Sequence, residues 1–177
     1  MTKAFAHQLK SLKHDLTTDI VFDTSDPGTG KTFVAIKAFE RRRKKKSGCA
    51  LILAPKSLLR STWAADFKKF APALKVVVAT ADVRASTFEQ DADAYVTNID
   101  AVKWLAKQPK AFFKRFETLI VDESSAYKHA TSQRSKAAAK IAAHFKYKRA
   151  MTGTPNGRSI TDVWHQVLLL DGGRRLG

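Results

Sequence analysis

A single cysteine, Cys49, occurs among the 177 residues, which excludes an internal disulfide and any zinc centre built on cysteine pairs. It lies beside the apolar run Ala50-Leu51-Ile52-Leu53, where a buried structural thiol is the expected reading. No apolar run comes near the roughly 20 residues that a membrane-spanning helix needs. The segment Met1-Thr2-Lys3-Ala4-Phe5-Ala6-His7-Gln8 holds no apolar core of secretory type. The expectation is a soluble protein of cytoplasmic type, without a membrane partner. Acidic side chains are scarce as well: 16 Asp and Glu stand against 32 Lys and Arg, a formal charge of +16. A domain this basic most often meets a polyanion, nucleic acid first; a merely soluble surface, or the basic half of a larger balanced protein, is the plainer alternative. Internal repeats and low-complexity linkers are missing too. With 44% hydrophobic and 10% aromatic residues the chain can bury the core of one domain, which excludes a disordered segment.

What is present is a series of short apolar runs: Ile20–Phe22, Ala50–Ala54, Val76–Ala79, Tyr95–Thr97, Thr118–Val121 and Ala150–Thr152. Helix-compatible stretches separate most of them, which predicts a parallel α/β sheet covered on both faces. The clearest helix is Ser57–Phe70, where Leu59, Trp63, Phe67 and Phe70 share one face as core residues. A second helix starts near Lys31 and runs past Phe39 into six consecutive cations, Arg41–Lys46, expected to be a solvated run that also suits a helix C-terminus. A third covers about Gln133–Lys146, and Pro109 splits the region between Trp104 and Phe116 into two short helices.

The segment Ser25-Asp26-Pro27-Gly28-Thr29-Gly30-Lys31-Thr32 carries the most chemistry. It ends in the Gly-Lys-Thr of a phosphate-binding loop and lies between an apolar run and a helix. Backbone N–H groups of such a loop cradle a polyphosphate, the lysine reaches the terminal phosphates and the threonine hydroxyl ligates Mg²⁺. Gly28 and Gly30 let the backbone approach without a Cβ in the way. Ser25 replaces the first glycine of the usual pattern, and an ordinary Gly-rich turn is the alternative reading. A second block supports the first. The apolar run Thr118–Val121 is followed by Asp122 and Glu123, and ligands bind at the carboxyl edge of an open α/β sheet. There Asp122 can hold magnesium and Glu123 can polarise the attacking water.

With these blocks in this order the chain resembles the first motor domain of a superfamily-two helicase, of the Snf-type branch of DNA translocases, including compact versions found in phages. Asp26–Thr32 resembles motif I. Leu53-Ala54-Pro55-Lys56-Ser57-Leu58-Leu59, with Trp63 and Phe67, resembles motif Ia. Asp122-Glu123-Ser124-Ser125, with Lys128 and Ser132, resembles motif II, and Thr152-Gly153-Thr154-Pro155, with Trp164, resembles motif III. The resemblance implies a three-layer RecA-like P-loop NTPase domain with a mostly parallel central sheet, over residues 1–170. Residues 171–177 would begin a linker to a second motor domain that this sequence does not include. ATP and Mg²⁺ are the implied cofactors: Gln8, Asp26, Pro27, Gly28, Thr29, Gly30, Lys31 and Thr32 would bind the nucleotide, Thr32 and Asp122 the metal, and Glu123 would be the base. Pro55, Lys56, Ser57, Thr97 and Asn98 would hold the nucleic-acid backbone, with little sequence specificity. Thr152, Gly153 and Thr154 would couple the two sites.

Three departures from the family pattern concern that coupling: Ser125 stands where histidine is usual, His129 where asparagine is common, and Arg158 where asparagine often follows motif III. The branch favours double-stranded DNA and a bacterial or phage-infected cytoplasm, while the residues themselves suit DNA or RNA. The family hydrolyses ATP between two RecA-like domains, the second supplying an arginine worth about 10³–10⁵ in rate. The implied partner is therefore that second domain, in cis or in trans, and this chain alone should turn over ATP very slowly. A stand-alone, non-enzymatic nucleic-acid- or protein-binding module is the rival; an unrelated P-loop kinase fits the Thr-Gly-Thr-Pro block poorly.

Overall fold

All six apolar runs become strands. In the computed structural model, which describes residues 4–44, 48–129, 131–155 and 160–172, these are β1 (Ile20–Asp23), β2 (Cys49–Ala54), β3 (Val76–Ala79), β4 (Ala94–Asn98), β5 (Phe116–Asp122) and β6 (Tyr147–Met151). They form one sheet in the order β1-β6-β5-β2-β4-β3, and every pair is parallel. Parallel strands need crossovers, and here these are mostly helical. The chain runs α1 (Ala6–Thr17), α2 (Lys31–Lys44), α3 (Ala65–Phe70), α4 (Arg84–Glu89), α5 (Val102–Leu105), α6 (Lys110–Phe113), α7 (Gln133–Ala142) and α8 (Ile160–Asp171).

Both sheet faces are covered, so side-chain alternation along each strand feeds two cores. Ala50, Ile52, Ala54 and Ile120 face Ile36 and Phe39 of α2 and the Trp63–Phe67 segment. Leu51, Leu53, Leu119 and Val121 face the opposite layer, with Phe88, Leu105, Phe113, Ile141 and Leu169. The fold is thus a six-stranded parallel sheet between two helical layers.

Several local expectations need revision. The helix expected over Ser57–Phe70 is π-helical at Leu59–Ala64 before α3 begins. β6 starts at Tyr147, earlier than its apolar run, because Arg149 is paired inside the fold: its guanidinium bonds Asp15 and Asp23 and is 4% exposed. Consequently Thr152 falls just past the strand. The cation run is not simply solvated. Arg42 bonds Asp15 and the Thr18 carbonyl and lies 4.4 Å over the Tyr147 ring, and Arg43 pairs with Asp93 at 2.7 Å. Residues 45 and 46 of that run lie outside the described residues. α7 ends at Ala142, short of Lys146, and α1 has no counterpart among the expected helices. Its inward positions are Gln8, Leu12 and Asp15, two of them polar, which hides the amphipathic signal. Cys49 is a buried thiol bonded to the Ala92 carbonyl at 3.2 Å, and burial pushes its pKa up. No described helix is long and apolar enough to cross a membrane.

Candidate nucleotide site at the carboxyl edge of the sheet

Strand order decides what meets at this edge. β6 lies between β1 and β5, so the loop after β6 is placed between the loop after β1, with Lys31, and the carboxylates that end β5. The sequence segments 23–32, 122–123 and 152–154 therefore converge although they are far apart in the chain.

The first loop is held by its own side chains. Asp23 Oδ1 accepts from the Ser25 N–H at 3.0 Å and the Ser25 hydroxyl at 2.6 Å, an Asx-type turn. The Thr29 hydroxyl donates to the Asp26 carbonyl at 2.8 Å. Among the described non-glycine residues only Glu123 has positive φ, so Ser25 takes a conformation open to any residue and the absent glycine costs the backbone nothing there. Gly28 and Gly30 do have left-handed backbone, φ 81° and 83°. A Cβ on Gly30 would also lie 2.2 Å from Gln8 Nε2. The Lys31 ammonium is bonded to the carbonyls of Ser25 and Asp26, at 2.6 and 3.0 Å, and borders two open clefts of about 390 and 380 Å³. Thr32, in the first turn of α2, lines the second. The 14-residue α2 begins at Lys31 and aims its positive dipole end at this loop.

Gln8 is buried against the loop. Its amide donates to the Thr29 carbonyl at 3.1 Å and accepts from the Phe5 N–H at 3.0 Å. The second cleft runs from Gln8 past Phe33 and Phe70 to Asp66.

Asp122 and Glu123 end β5 in different environments. Burial pushes the Asp122 carboxyl above its ordinary pKa; an indole hydrogen bond from Trp63 opposes this, neighbouring Glu123 adds to it, and Lys31 opposes it. The Trp63 bond is 2.9 Å, Nε1 to Oδ2. Glu123 has left-handed backbone, φ 56° and ψ 58°, strain of the kind that gathers at functional sites. Its Oε1 accepts from the Ser125 hydroxyl at 2.6 Å and from the Thr152 hydroxyl at 2.8 Å. Thr152 in turn accepts from the Thr154 N–H at 3.1 Å. Gly153 abuts Pro27, whose Cγ would lie 2.9 Å from an added Cβ. The 152–154 segment thus touches both of the others.

The residues expected to hold nucleic acid are spread along the same edge. Lys56 and Ser57 are exposed after β2, and Pro55 is half-buried. Asn98 ends β4 and accepts from Arg84 at 2.6 Å. Thr97 is fully buried, its hydroxyl donating to the Ala79 carbonyl at 2.7 Å. Of the three departures, Ser125 bonds Glu123, His129 is exposed, and Arg158 lies outside the described residues.

The structure also adds residues that sequence patterns passed over. Gln166 on α8 is fully buried, accepts from the Ser124 hydroxyl at 2.7 Å and donates to the Pro155 carbonyl at 3.1 Å. It ties the loop after β5 to the loop after β6. Its one sequence signal is a lone amide within the apolar stretch from Val163 to Leu170.

The model of the SNF2-related domain family matches residues 10–173. The chain belongs to that family. An uncharacterized ATP-dependent helicase of Mycoplasma genitalium is 32% identical over 122 residues, 65% of this chain and 11% of that protein. A putative protein p41 of Acyrthosiphon pisum secondary endosymbiont phage 1 is 29% identical over 162 residues, 85% of this chain and 35% of its own. The chain therefore spans about a tenth to a third of the length of these curated relatives. The Sulfolobus solfataricus SWI2/SNF2 ATPase core, solved with double-stranded DNA, superposes with a TM-score of 0.81 at 24% identity, covering 97% of this chain and 36% of that one. The SNF2-related chain thus has the RecA-like fold found within such an ATPase core, as the resemblance implied.

Proposed function

We propose that this SNF2-related domain is the nucleotide-binding half of a Snf-type DNA motor. It binds ATP with magnesium between the loop at Lys31 and the pair Asp122–Glu123, and holds a nucleic-acid backbone beside Lys56, Ser57 and Asn98. The observation that carries this reading is the convergence of Lys31, Asp122, Glu123 and Thr152 at one edge of the sheet.

The residues fit that cofactor pair. Gly28 has open space where a Cβ would lie, and Gly30 has a positive φ, so the loop can present N–H groups to phosphate. No cluster of three or more metal-ligating His, Cys, Asp or Glu side chains occurs among the described residues. A cation there would be held jointly by nucleotide phosphates, Thr32 and Asp122, the usual arrangement for magnesium. When bound, the metal would neutralise charge on the phosphates. Lys31 would leave the Ser25 and Asp26 carbonyls for the phosphates. Glu123 would take a proton from water, and the Thr152 and Ser125 hydroxyls on its Oε1 set its orientation.

A second RecA-like domain, in cis or in trans, is the proposed source of the arginine that completes the site. The expected behaviour of this chain alone is nucleotide binding with very slow turnover. The formal +16 charge favours a second reading, a nucleic-acid-binding module without hydrolysis. One experiment separates them: nucleotide binding and ATP turnover with and without duplex DNA, beside Lys31→Ala. Binding lost in Lys31→Ala supports the motor half. DNA binding without any Lys31-dependent nucleotide binding supports the module.

A further inference from the structure

Trp63 does more than fill the core. Its side chain is fully buried and packs on Phe67, with 6.2 Å between ring centroids. Yet its indole N–H is spent on Asp122 Oδ2 at 2.9 Å, across 59 residues of sequence. A buried tryptophan needs an acceptor for that N–H, and any nearby carbonyl would satisfy packing alone. Here the acceptor is the carboxylate at the end of β5, within electrostatic reach of Lys31.

The backbone under Trp63 is unusual in the same place. Leu59–Ala64 winds as a π-helix, and the Ala65 N–H reaches back five residues to the Arg60 carbonyl. Such turns are rare and recur at functional sites. A wider turn advances less per residue than an α-turn, so Trp63 leaves the segment in a direction that an α-helix from Ser57 would not give it. An indole N–H only donates. It therefore fixes one carboxylate oxygen and leaves the second to ligate.

We propose that Trp63 is a positioning residue for magnesium: its indole N–H clamps Asp122 Oδ2, so that the carboxylate meets a nucleotide-bound divalent cation in one orientation. This inference rests on the nucleotide site proposed above, and it assigns to the motif-Ia helix a role at the metal that core packing does not require.

The test is a titration of the full chain with a fluorescent ATP analogue, once with magnesium and once with EDTA. The variants are Trp63→Phe and Trp63→benzothienylalanine; the latter keeps the bicyclic shape and replaces only the N–H by sulfur, so it stays informative if the phenylalanine variant fails to fold. The expected result is that the gain in affinity conferred by Mg²⁺ falls about tenfold in both, as for loss of one hydrogen bond to a charged group. Affinity in EDTA stays within about twofold, and the Mg²⁺ concentration for half-maximal binding rises by the same tenfold. Asp122→Asn should show a similar loss, and adding Trp63→Phe to it should remove nothing more. A Mg²⁺-dependent gain that Lys31→Ala abolishes but both Trp63 variants keep overturns the clamp alone. An equal drop with and without Mg²⁺ also overturns it, in favour of packing. If the unsubstituted chain shows no Mg²⁺-dependent nucleotide binding, the nucleotide site and the clamp fall together.

Discussion

The Thr152 hydroxyl donates to Glu123 Oε1 at 2.8 Å, joining the loop after β6 to the end of β5. The same oxygen accepts from Ser125 at 2.6 Å. Thr152→Val keeps the shape and removes the donor. The expected outcome is nucleotide affinity within about twofold of the unsubstituted chain and stability lowered by about 1 kcal/mol. On the proposed role of Glu123 as the base, single-turnover hydrolysis in the presence of a second motor domain should fall about tenfold, as for loss of one hydrogen bond to a charged group. An unchanged hydrolysis rate would show that Ser125 alone orients Glu123.

Gly30 is needed twice over, for its φ of 83° and for the 2.2 Å that would separate an added Cβ from Gln8 Nε2. Gly30→Ala should destabilise the domain by about 1–3 kcal/mol and weaken nucleotide binding strongly. Gln8→Ala in the same chain relieves the clash but not the backbone strain, so it should recover only part of the stability. Denaturant melts of the single and double variants measure this.

Arg149, 4% exposed, answers two carboxylates, Asp15 and Asp23. Removing one partner of a buried ion pair strands the others. Arg149→Met should cost about 3–5 kcal/mol. Asp15→Asn added to it should cost less than the sum of the two single changes, because the stranded charge disappears. Urea unfolding of the four members of this cycle is the check.

His144 stacks on Phe113, 4.4 Å between centroids and 6° between planes. Burial, then the nearby Lys110 and Lys140, hold its pKa below the ordinary value of 6.5. The folded state therefore favours the neutral ring. Where the unfolded chain binds the extra proton and the native one does not, stability rises with pH. Acidification from neutral should thus remove stability starting near pH 6.5, and the loss should be complete below the lowered native pKa. Tm measured at pH 7.5 and 5.5 should fall less in His144→Gln than in the unsubstituted chain.

Much of this fold was legible in advance because buried parallel strands are written as continuous apolar runs, and all six were. The bounds of β6 were not, since Tyr147, Lys148 and Arg149 read as polar: Arg42 of α2 lies over the Tyr147 ring, Arg149 bonds Asp15 of α1, and Lys148 bonds the Leu170 carbonyl of α8 at 2.8 Å. α1 escaped for the matching reason, with Gln8 and Asp15 on its inner face. Likewise, spacing along Leu59, Trp63 and Phe67 announces a buried face but carries nothing about where an indole nitrogen points.

The sequence by itself determined the sheet, its parallel character, the glycine-rich loop before α2 and the carboxylate pair after β5, because each depends on residues that are neighbours in the chain. Only the tertiary structure decided that β6 lies between β1 and β5. That placement brings Thr152 to Glu123, Gly153 to Pro27, and Gln166 between Ser124 and Pro155. It also decided that a π-turn delivers Trp63 to Asp122. Periodicity in a sequence reports which side of an element is buried; which polar atoms then meet depends on strand order and local helical winding, and neither is written in the period.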